Sequence, residues 1–187
     1  LGLRSSMYER ASFSSVTTRR MSPASGTSER PRTTAAEAGP AFGDLGYGYD
    51  GWELARLFAL LQLAEADAYL ASLETKYHYD FWRPYTAIRQ GAVDGNPGTT
   101  GDLNWLPFDP VTPPVPDYNS AHSAAGGAAR AVLARFFGTD HIHFTHTSTS
   151  LPGVTRHYRS FNDAADENGE SRILIGFHFR HAVTEGR

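Results

Sequence analysis

The sequence predicts an all-α fold, a helical bundle whose helices are joined by long ordered loops. Apolar residues recur at helical spacing over Trp52–Leu73, which is the pattern of a long amphipathic helix. A second helix is predicted over Ser120–Phe137, where Gly138 supplies a natural stop. A third helix is predicted from Ser160 to the end of the chain. Helix therefore dominates the predicted structure.

Residues that start or stop helices set the expected boundaries. The residue before Pro84 is disfavoured in helical geometry, so the first helix should end near Trp82. Asp163 stands three residues after Ser160, which fits a capping-box-like start for the third helix. On this interpretation the third helix also carries His178.

The segments between these helices are expected to be irregular or short. Residues 91–118 are dense in Gly, Pro, Asp and Asn, and they predict a long ordered loop or a lid, which is often functional. Residues 141–150 alternate loosely and predict a short extended segment. Within the second helix, residues 124–129 are all Ala or Gly, so another backbone could approach closely there.

Composition divides the chain into two parts. Residues 1–43 are expected to be a disordered or atypical N-terminal segment, because the first 38 residues are rich in Ser, Thr and Arg and poor in acids. An organelle transit peptide or a bacterial leader would explain this composition equally well. Residues 44–187 are expected to form one helical domain.

Charge and composition exclude several classes of partner and site. The chain has 187 residues, a formal net charge of −3 and no cysteine, so disulfides and thiolate metal sites are excluded. Nothing in the charge pattern points to nucleic acid. No apolar run approaches the roughly 20 residues of a membrane-spanning helix. There is no secretory apolar segment, and the sequence indicates no localisation.

The first candidate anion-binding segment contains Lys76 and Arg83. They are seven residues apart, close to two helical turns, so on one helix both cations would point the same way. Two cations on one aromatic-rich face suggest an anion site. Taken alone, a solvated face with extended Lys and Arg side chains explains this segment better.

The second segment places Ser120, Ala121 and His122 at the start of the small-residue helix. A helix N-terminus offers free N–H groups and a positive dipole end, which suit an oxyanion. Ser120 could add a hydroxyl donor, Ala121 its backbone N–H, and His122 a general acid or base. Equally well, Ser120 could be only a helix cap and His122 a surface residue.

The third segment holds Arg172 and His178, six residues apart. On a helix this separation is roughly 120° from eclipsed, so the two would flank a common site only through the length of arginine. Taken alone, a core helix in which His178 bonds a carbonyl is the better interpretation of this segment.

Together the three segments resemble a known signature. Lys76-x6-Arg83-Pro84, then Ser120-x-His122, then Ser171-Arg172-x5-His178 are similar, in that order, to the motifs of the vanadium haloperoxidase and type 2 phosphatidic acid phosphatase superfamily. The similarity runs from about Trp52 to the C-terminus. It is closest to the haloperoxidase branch at residues 79–84 and 117–118, and residues 138–140 and 152–156 resemble bacterial haloperoxidase-like sequences.

The resemblance implies the helical-bundle fold of that superfamily, with residues 44–187 as a catalytic domain truncated at its C-terminus. It also implies a bound vanadate, whose site phosphate could share. The implied ligands of this oxyanion are Lys76, Arg83, Ser120, the N–H of Ala121, and Arg172.

The resemblance further implies an oxidoreductase that uses hydrogen peroxide to oxidise halide, with an organic substrate downstream. His178 would ligate the vanadium and His122 would transfer protons. An acid phosphatase on the same fold would instead use His178 as nucleophile, forming a phosphohistidine, and His122 to protonate the leaving alcohol. A third hypothesis is an inactive, truncated remnant.

Three departures from the family pattern bear on these hypotheses. Ala121 stands where the family usually has Gly, and its methyl could crowd the anion. Ala182 stands where an Asp usually orients the last histidine, so either a different carboxylate holds the ring of His178 or its tautomer is less well fixed. The chain stops at Arg187, while family members are much longer. We therefore expect exposed apolar surface and marginal stability or self-association.

A divalent-metal site at His141 and His143 is a weaker hypothesis. On a strand these two side chains would share one face. His146 follows three residues later, but no carboxylate or fourth histidine stands at convincing spacing, so polar loop residues are the favoured interpretation.

Overall fold

A computed structural model describes residues 48–187, and the predicted N-terminal segment 1–43 lies outside the described residues. Its elements are α1 (Gly51–Tyr79), α2 (Pro84–Arg89), a 3-10 turn (Gly91–Val93), α3 (Ala121–Phe137), β1 (Phe144–Ser148), β2 (Leu151–Tyr158), α4 (Phe161–Leu174) and α5 (Arg180–Thr184). Helix α3 packs against α1 and α4, and α5 packs against α4. The predicted helical bundle is confirmed, with a small two-stranded sheet added to it.

Helix α1 begins at a complete capping box, in which Asp50 accepts from the N–H of Glu53 and Glu53 accepts from that of Asp50. It ends at Tyr79, three residues before the predicted end at Trp82. Asp80 adopts the left-handed conformation (φ 45°) and donates its N–H to the carbonyl of Lys76, a cap that aspartate tolerates better than most residues. The predicted boundary is therefore wrong by three residues.

The early end of α1 overturns one argument about the cations. Lys76 lies in the last turn of α1, whereas Arg83 caps the N-terminus of α2 after an extended connection. The two residues do not share one helix, and the expectation that helical periodicity aligns them is wrong. Their convergence comes from tertiary packing instead.

Helix α3 matches its prediction at both ends. Ser120 is the N-cap and accepts from the N–H of Ser123, and Gly138 ends the helix with φ 73°. Its small residues allow α4 to approach α3 closely, as predicted. A Cβ on Gly126 would lie 3.0 Å from Asn168 Nδ2 and 3.7 Å from Ala165 Cα, both on α4.

We expect Gly126→Val to destabilise the fold by about 1–3 kcal/mol, because a branched side chain has no space between α3 and α4. Ala131→Val, at an exposed position of the same helix, should cost only a few tenths of a kcal/mol. Urea unfolding of both variants measures the difference. Equal losses would show that the α3–α4 contact is looser than the structure has it.

A β-hairpin follows α3. The predicted extended segment within residues 141–150 is confirmed as β1, which pairs antiparallel with β2. The second strand was not predicted, because Leu151–Tyr158 is exposed over almost its whole length and shows no alternation of apolar and polar residues.

The third predicted helix is two helices. Helix α4 starts as predicted, since the Ser160 side chain accepts from the N–H of Asp163, but it ends at Leu174. Gly176 has φ 86°, and its Cα faces Pro107 and Trp105 of the long loop. The prediction that one helix continues to the end of the chain is wrong, and His178 lies in the connection between α4 and α5.

Large apolar side chains are exposed on the described part of the chain. Trp52 and Leu70 of α1 are 86% and 66% exposed, and Phe108 of the long loop is 91% exposed. Exposed apolar surface was expected, and self-association to cover it remains a prediction. Among the helices of residues 48–187, none is both long and apolar enough to span a membrane.

Candidate active site

Two buried cations fix the end of the long loop. Lys76 Nζ donates to the carbonyls of Pro116 and Asp117, both at 2.9 Å. Arg83 Nε donates to the carbonyl of Val115 at 2.8 Å. The N–H of Asp117 donates to the carbonyl of Phe81 at 2.8 Å. Residues 115–117 are thus held against the end of α1 and the start of α2.

The carboxylate of Asp117 lies in the centre of this arrangement. Its side chain is fully buried, with Oδ1 2.7 Å from His178 Nδ1 and 3.9 Å from an Arg83 guanidinium nitrogen. The two atoms are at ion-pair distance, but the contact does not meet the geometry of a hydrogen bond. A buried carboxylate requires such cationic and hydrogen-bonding neighbours. With Ala182 in place of an acid, either a different carboxylate would hold the His178 ring or its tautomer would be less well fixed. The carboxylate of Asp117 lies against the ring and supports the first alternative.

His178 is held from both sides of its ring. Its Nε2 lies 2.9 Å from an Arg83 guanidinium nitrogen, which also donates to the carbonyl of Phe177 at 2.9 Å. The N–H of His178 donates to the carbonyl of Arg172 at 3.2 Å, which ties it to the end of α4. Burial lowers the pKa of His178 more than Asp117 raises it. The ring is therefore neutral near pH 7, as a metal ligand or nucleophile must be.

The N-terminus of α3 contributes the middle segment. Ser120 is fully buried and donates its N–H to the carbonyl of Ala182 at 2.9 Å. It caps α3, as the alternative interpretation proposed. Ala121 is the first residue of the helix, so its N–H has no acceptor within α3. His122 is partly buried, and its carbonyl accepts from Asn168 Nδ2 at 2.7 Å.

The site carries a positive potential. The pKa of His122 is lowered to about 4, first by burial and then by nearby positive charges, among them those of Arg172, Lys76 and Arg83. Arg172 donates to Ser171 Oγ and forms no ion pair with a carboxylate among residues 48–187. Three cations thus face one carboxylate, Asp117. The excess of two positive charges suits an oxyanion.

Partly buried His122 should make the stability of the fold sensitive to acid. The unfolded chain protonates His122 below about pH 6.5, whereas the folded chain does so only near pH 4. The free energy of unfolding should therefore fall as pH drops from 6.5 to 4, by roughly 3 kcal/mol at most from this residue.

Urea unfolding between pH 4 and 7.5 tests this expectation. His122→Gln should flatten the profile, and His141→Gln, at an exposed position, should leave it as it is. Phosphate should also flatten it, because a bound anion stabilises the imidazolium. An unchanged slope in His122→Gln would assign the acid sensitivity to other groups.

The structure brings together six side chains of the three sequence segments: Lys76, Arg83, Ser120, His122, Arg172 and His178. Sequence analysis missed two further residues, Asp117 as the partner of His178 and Asn168 as the anchor of His122. Ala182 gave an indication of the role of Asp117, because a histidine that lacks its usual orienting acid can be held by another carboxylate. Among residues 48–187, no three His, Asp or Glu side chains are grouped to hold a metal ion, His141 and His143 included.

The chain is similar to known vanadium haloperoxidases. The family model of the VCPO (vanadium chloroperoxidase) second helical-bundle domain matches residues 56–187. Vanadium chloroperoxidase of Curvularia inaequalis is 31% identical in an alignment 180 positions long, and the aligned part covers 72% of this chain and 29% of that protein.

Solved structures resemble it as well. A bacterial vanadium-dependent iodoperoxidase matches with a TM-score of 0.63 and 34% identity, covering 73% of this chain and 31% of that one. The holo form of a bacterial vanadium-dependent chloroperoxidase matches with a TM-score of 0.54 over 68% of this chain and 31% of that one, and at 24% identity it supports the fold alone. The chain spans about three tenths of the length of these relatives.

Proposed function

The chain belongs to the vanadium chloroperoxidase family, and from this premise we propose that it binds vanadate beside His178 and oxidises halide with hydrogen peroxide. The single observation that carries the proposal is the cluster of buried Lys76 and Arg83 with half-buried Arg172, whose charge Asp117 offsets only in part among the described residues. In this reaction a halide and hydrogen peroxide, with one proton, give hypohalous acid and water.

The donor set fits a vanadate. Nε2 of neutral His178 can supply the nitrogen ligand when Arg83, whose guanidinium lies 2.9 Å from it, donates to an oxygen atom of the anion instead. The three cations can donate charge-assisted hydrogen bonds to the oxygen atoms of the anion. The N–H of Ala121 and the hydroxyl of Ser120 lie at the positive end of the α3 dipole. Bound vanadate would supply Lewis-acid activation of hydrogen peroxide.

His122 is the residue proposed to move the proton that this reaction consumes. Near pH 7 it is neutral, because burial and the cations lower its pKa to about 4. A bound anion would raise that pKa and bring it toward the range in which a histidine donates protons efficiently. Asn168 fixes the backbone of His122, so the ring starts from a defined place on α3.

An acid phosphatase is the second candidate function. The contact that favours it is the Asp117–His178 pair, at 2.7 Å, because a carboxylate behind a neutral imidazole is also the arrangement of a histidine nucleophile. The same cations would then hold a phosphomonoester, and His122 would protonate the leaving alcohol.

Bromination of a phenol dye by the 187-residue chain, with and without vanadate, separates these functions. A vanadate-dependent product that needs both halide and peroxide supports the peroxidase. Hydrolysis of p-nitrophenyl phosphate that vanadate inhibits supports the phosphatase. Absence of both reactions would identify an inactive remnant. Chloride, bromide and iodide are each supplied, since the relatives are named for chloride and iodide.

A further inference from the structure

We propose that Asp117 is the positioning residue for His178, holding its imidazole in the tautomer whose Nε2 lone pair faces the cationic site. The family's usual orienting acid, four residues after the last histidine, is replaced here by Ala182. The role of Asp117 in a reaction rests on the proposed function, but its effect on the ring does not.

Two independent contacts select the same tautomer. The Asp117 carboxylate can only accept a proton contact, so Nδ1, 2.7 Å away, carries the hydrogen. The Arg83 guanidinium can only donate, so Nε2, 2.9 Å from it, carries the lone pair. Both neighbours are buried, and neither contact competes with bulk water.

Hydrogen bonds that do not involve His178 hold the backbone of Asp117 in place. Asp117 donates its N–H to Phe81 and accepts at its carbonyl from Lys76. Two residues earlier, Arg83 holds the carbonyl of Val115. The backbone position of Asp117 is therefore set by the loop and does not depend on His178.

Among the described residues, Asp117 is the only acid within ion-pair distance of the His178 ring. Ala182 is fully buried, and its carbonyl is bonded to the N–H of Ser120. On α4, Asp166 and Glu170 form ion pairs with Arg187 and Arg180 on the outer surface. Loss of Asp117 should therefore leave Nδ1 without a carboxylate.

The tautomer of His178 can be measured without any ligand. Long-range 1H–15N correlation spectra of the full 187-residue chain at pH 8 should show hydrogen on Nδ1. Asp117→Ala should raise the fraction of rings with hydrogen on Nε2, only in part because Arg83 still donates to Nε2, whereas Glu170→Gln, which removes an acid of the outer surface, should leave this fraction unchanged. An unchanged tautomer in Asp117→Ala would overturn the proposal.

The ratio of two anion affinities gives a second measurement. Vanadate would use Nε2 as a ligand and phosphate would not, so calorimetry of Asp117→Asn should show vanadate affinity falling about 10–100-fold relative to phosphate affinity. Removal of a negative charge favours both anions alike, so the ratio isolates ring orientation. Equal changes for the two anions would mean a merely structural role and would contradict the proposal.

The two proposals fail in different ways. If the native chain binds phosphate with its expected tautomer but shows no preference for vanadate, the peroxidase function fails and the role of Asp117 in orienting the ring stands. If Asp117→Ala keeps the native tautomer and Asp117→Asn keeps the native ratio of affinities, the role of Asp117 fails while peroxidase activity is unaffected.

Discussion

His178→Ala should lose all turnover, at every pH and vanadate concentration. The substitution removes the only imidazole that faces both Arg83 and Asp117 among the described residues, and with it the proposed vanadium ligand or phosphorus nucleophile. Phosphate binding should persist, because the three cations remain. Calorimetry with phosphate and with vanadate, followed by halide oxidation assays, measures both effects.

His122→Ala is the matched variant. It should leave vanadate bound and slow turnover by about 10²–10⁴-fold, the usual share of general acid–base catalysis. The two histidines then differ in kind, since one holds the anion and the other moves a proton. An equal loss of vanadate affinity in both variants would contradict this division of roles.

Arg83→Ala and Arg172→Ala should differ in stability while sharing a loss of anion binding. Hydrogen bonds to charged groups contribute about 1.5–3 kcal/mol each, so either variant should bind phosphate at least tenfold more weakly. Arg83 also donates to the carbonyls of Val115 and Phe177. Arg83→Ala leaves these two carbonyls unpaired, which should lower the free energy of unfolding by about 1–3 kcal/mol for each.

Among residues 48–187, the side chain of Arg172 donates a hydrogen bond only to Ser171 Oγ, so the urea midpoint of Arg172→Ala should lie near that of the native chain. Arg180→Ala, which breaks an exposed ion pair with Glu170, is the control and should change neither property. Native phosphate affinity in Arg172→Ala would exclude this arginine from the anion site. Native stability in Arg83→Ala would show that its carbonyl contacts are weak.

Capping residues in the sequence predicted some helix boundaries correctly, but other boundaries could not be predicted from local sequence. Both ends of α3 and the start of α4 are predictable because caps are local: Ser120, Gly138 and Ser160 act within one turn of the chain. The break at Gly176 is not predictable in this way, because Pro107 and Trp105 from a distant loop face its left-handed turn. Apolar periodicity continued through it, and one helix was predicted where there are two.

The sequence by itself determined the helical class, the order of the three motifs and the identity of six side chains in the candidate site. It also determined that a carboxylate was missing at position 182. Only the tertiary structure decided which acid replaces it. Asp117 and His178 are 61 residues apart, and they meet because Lys76 and Arg83 hold residues 115–117 by their carbonyls. Such contacts cannot be predicted from the sequence, because every residue has a backbone carbonyl whatever its side chain is.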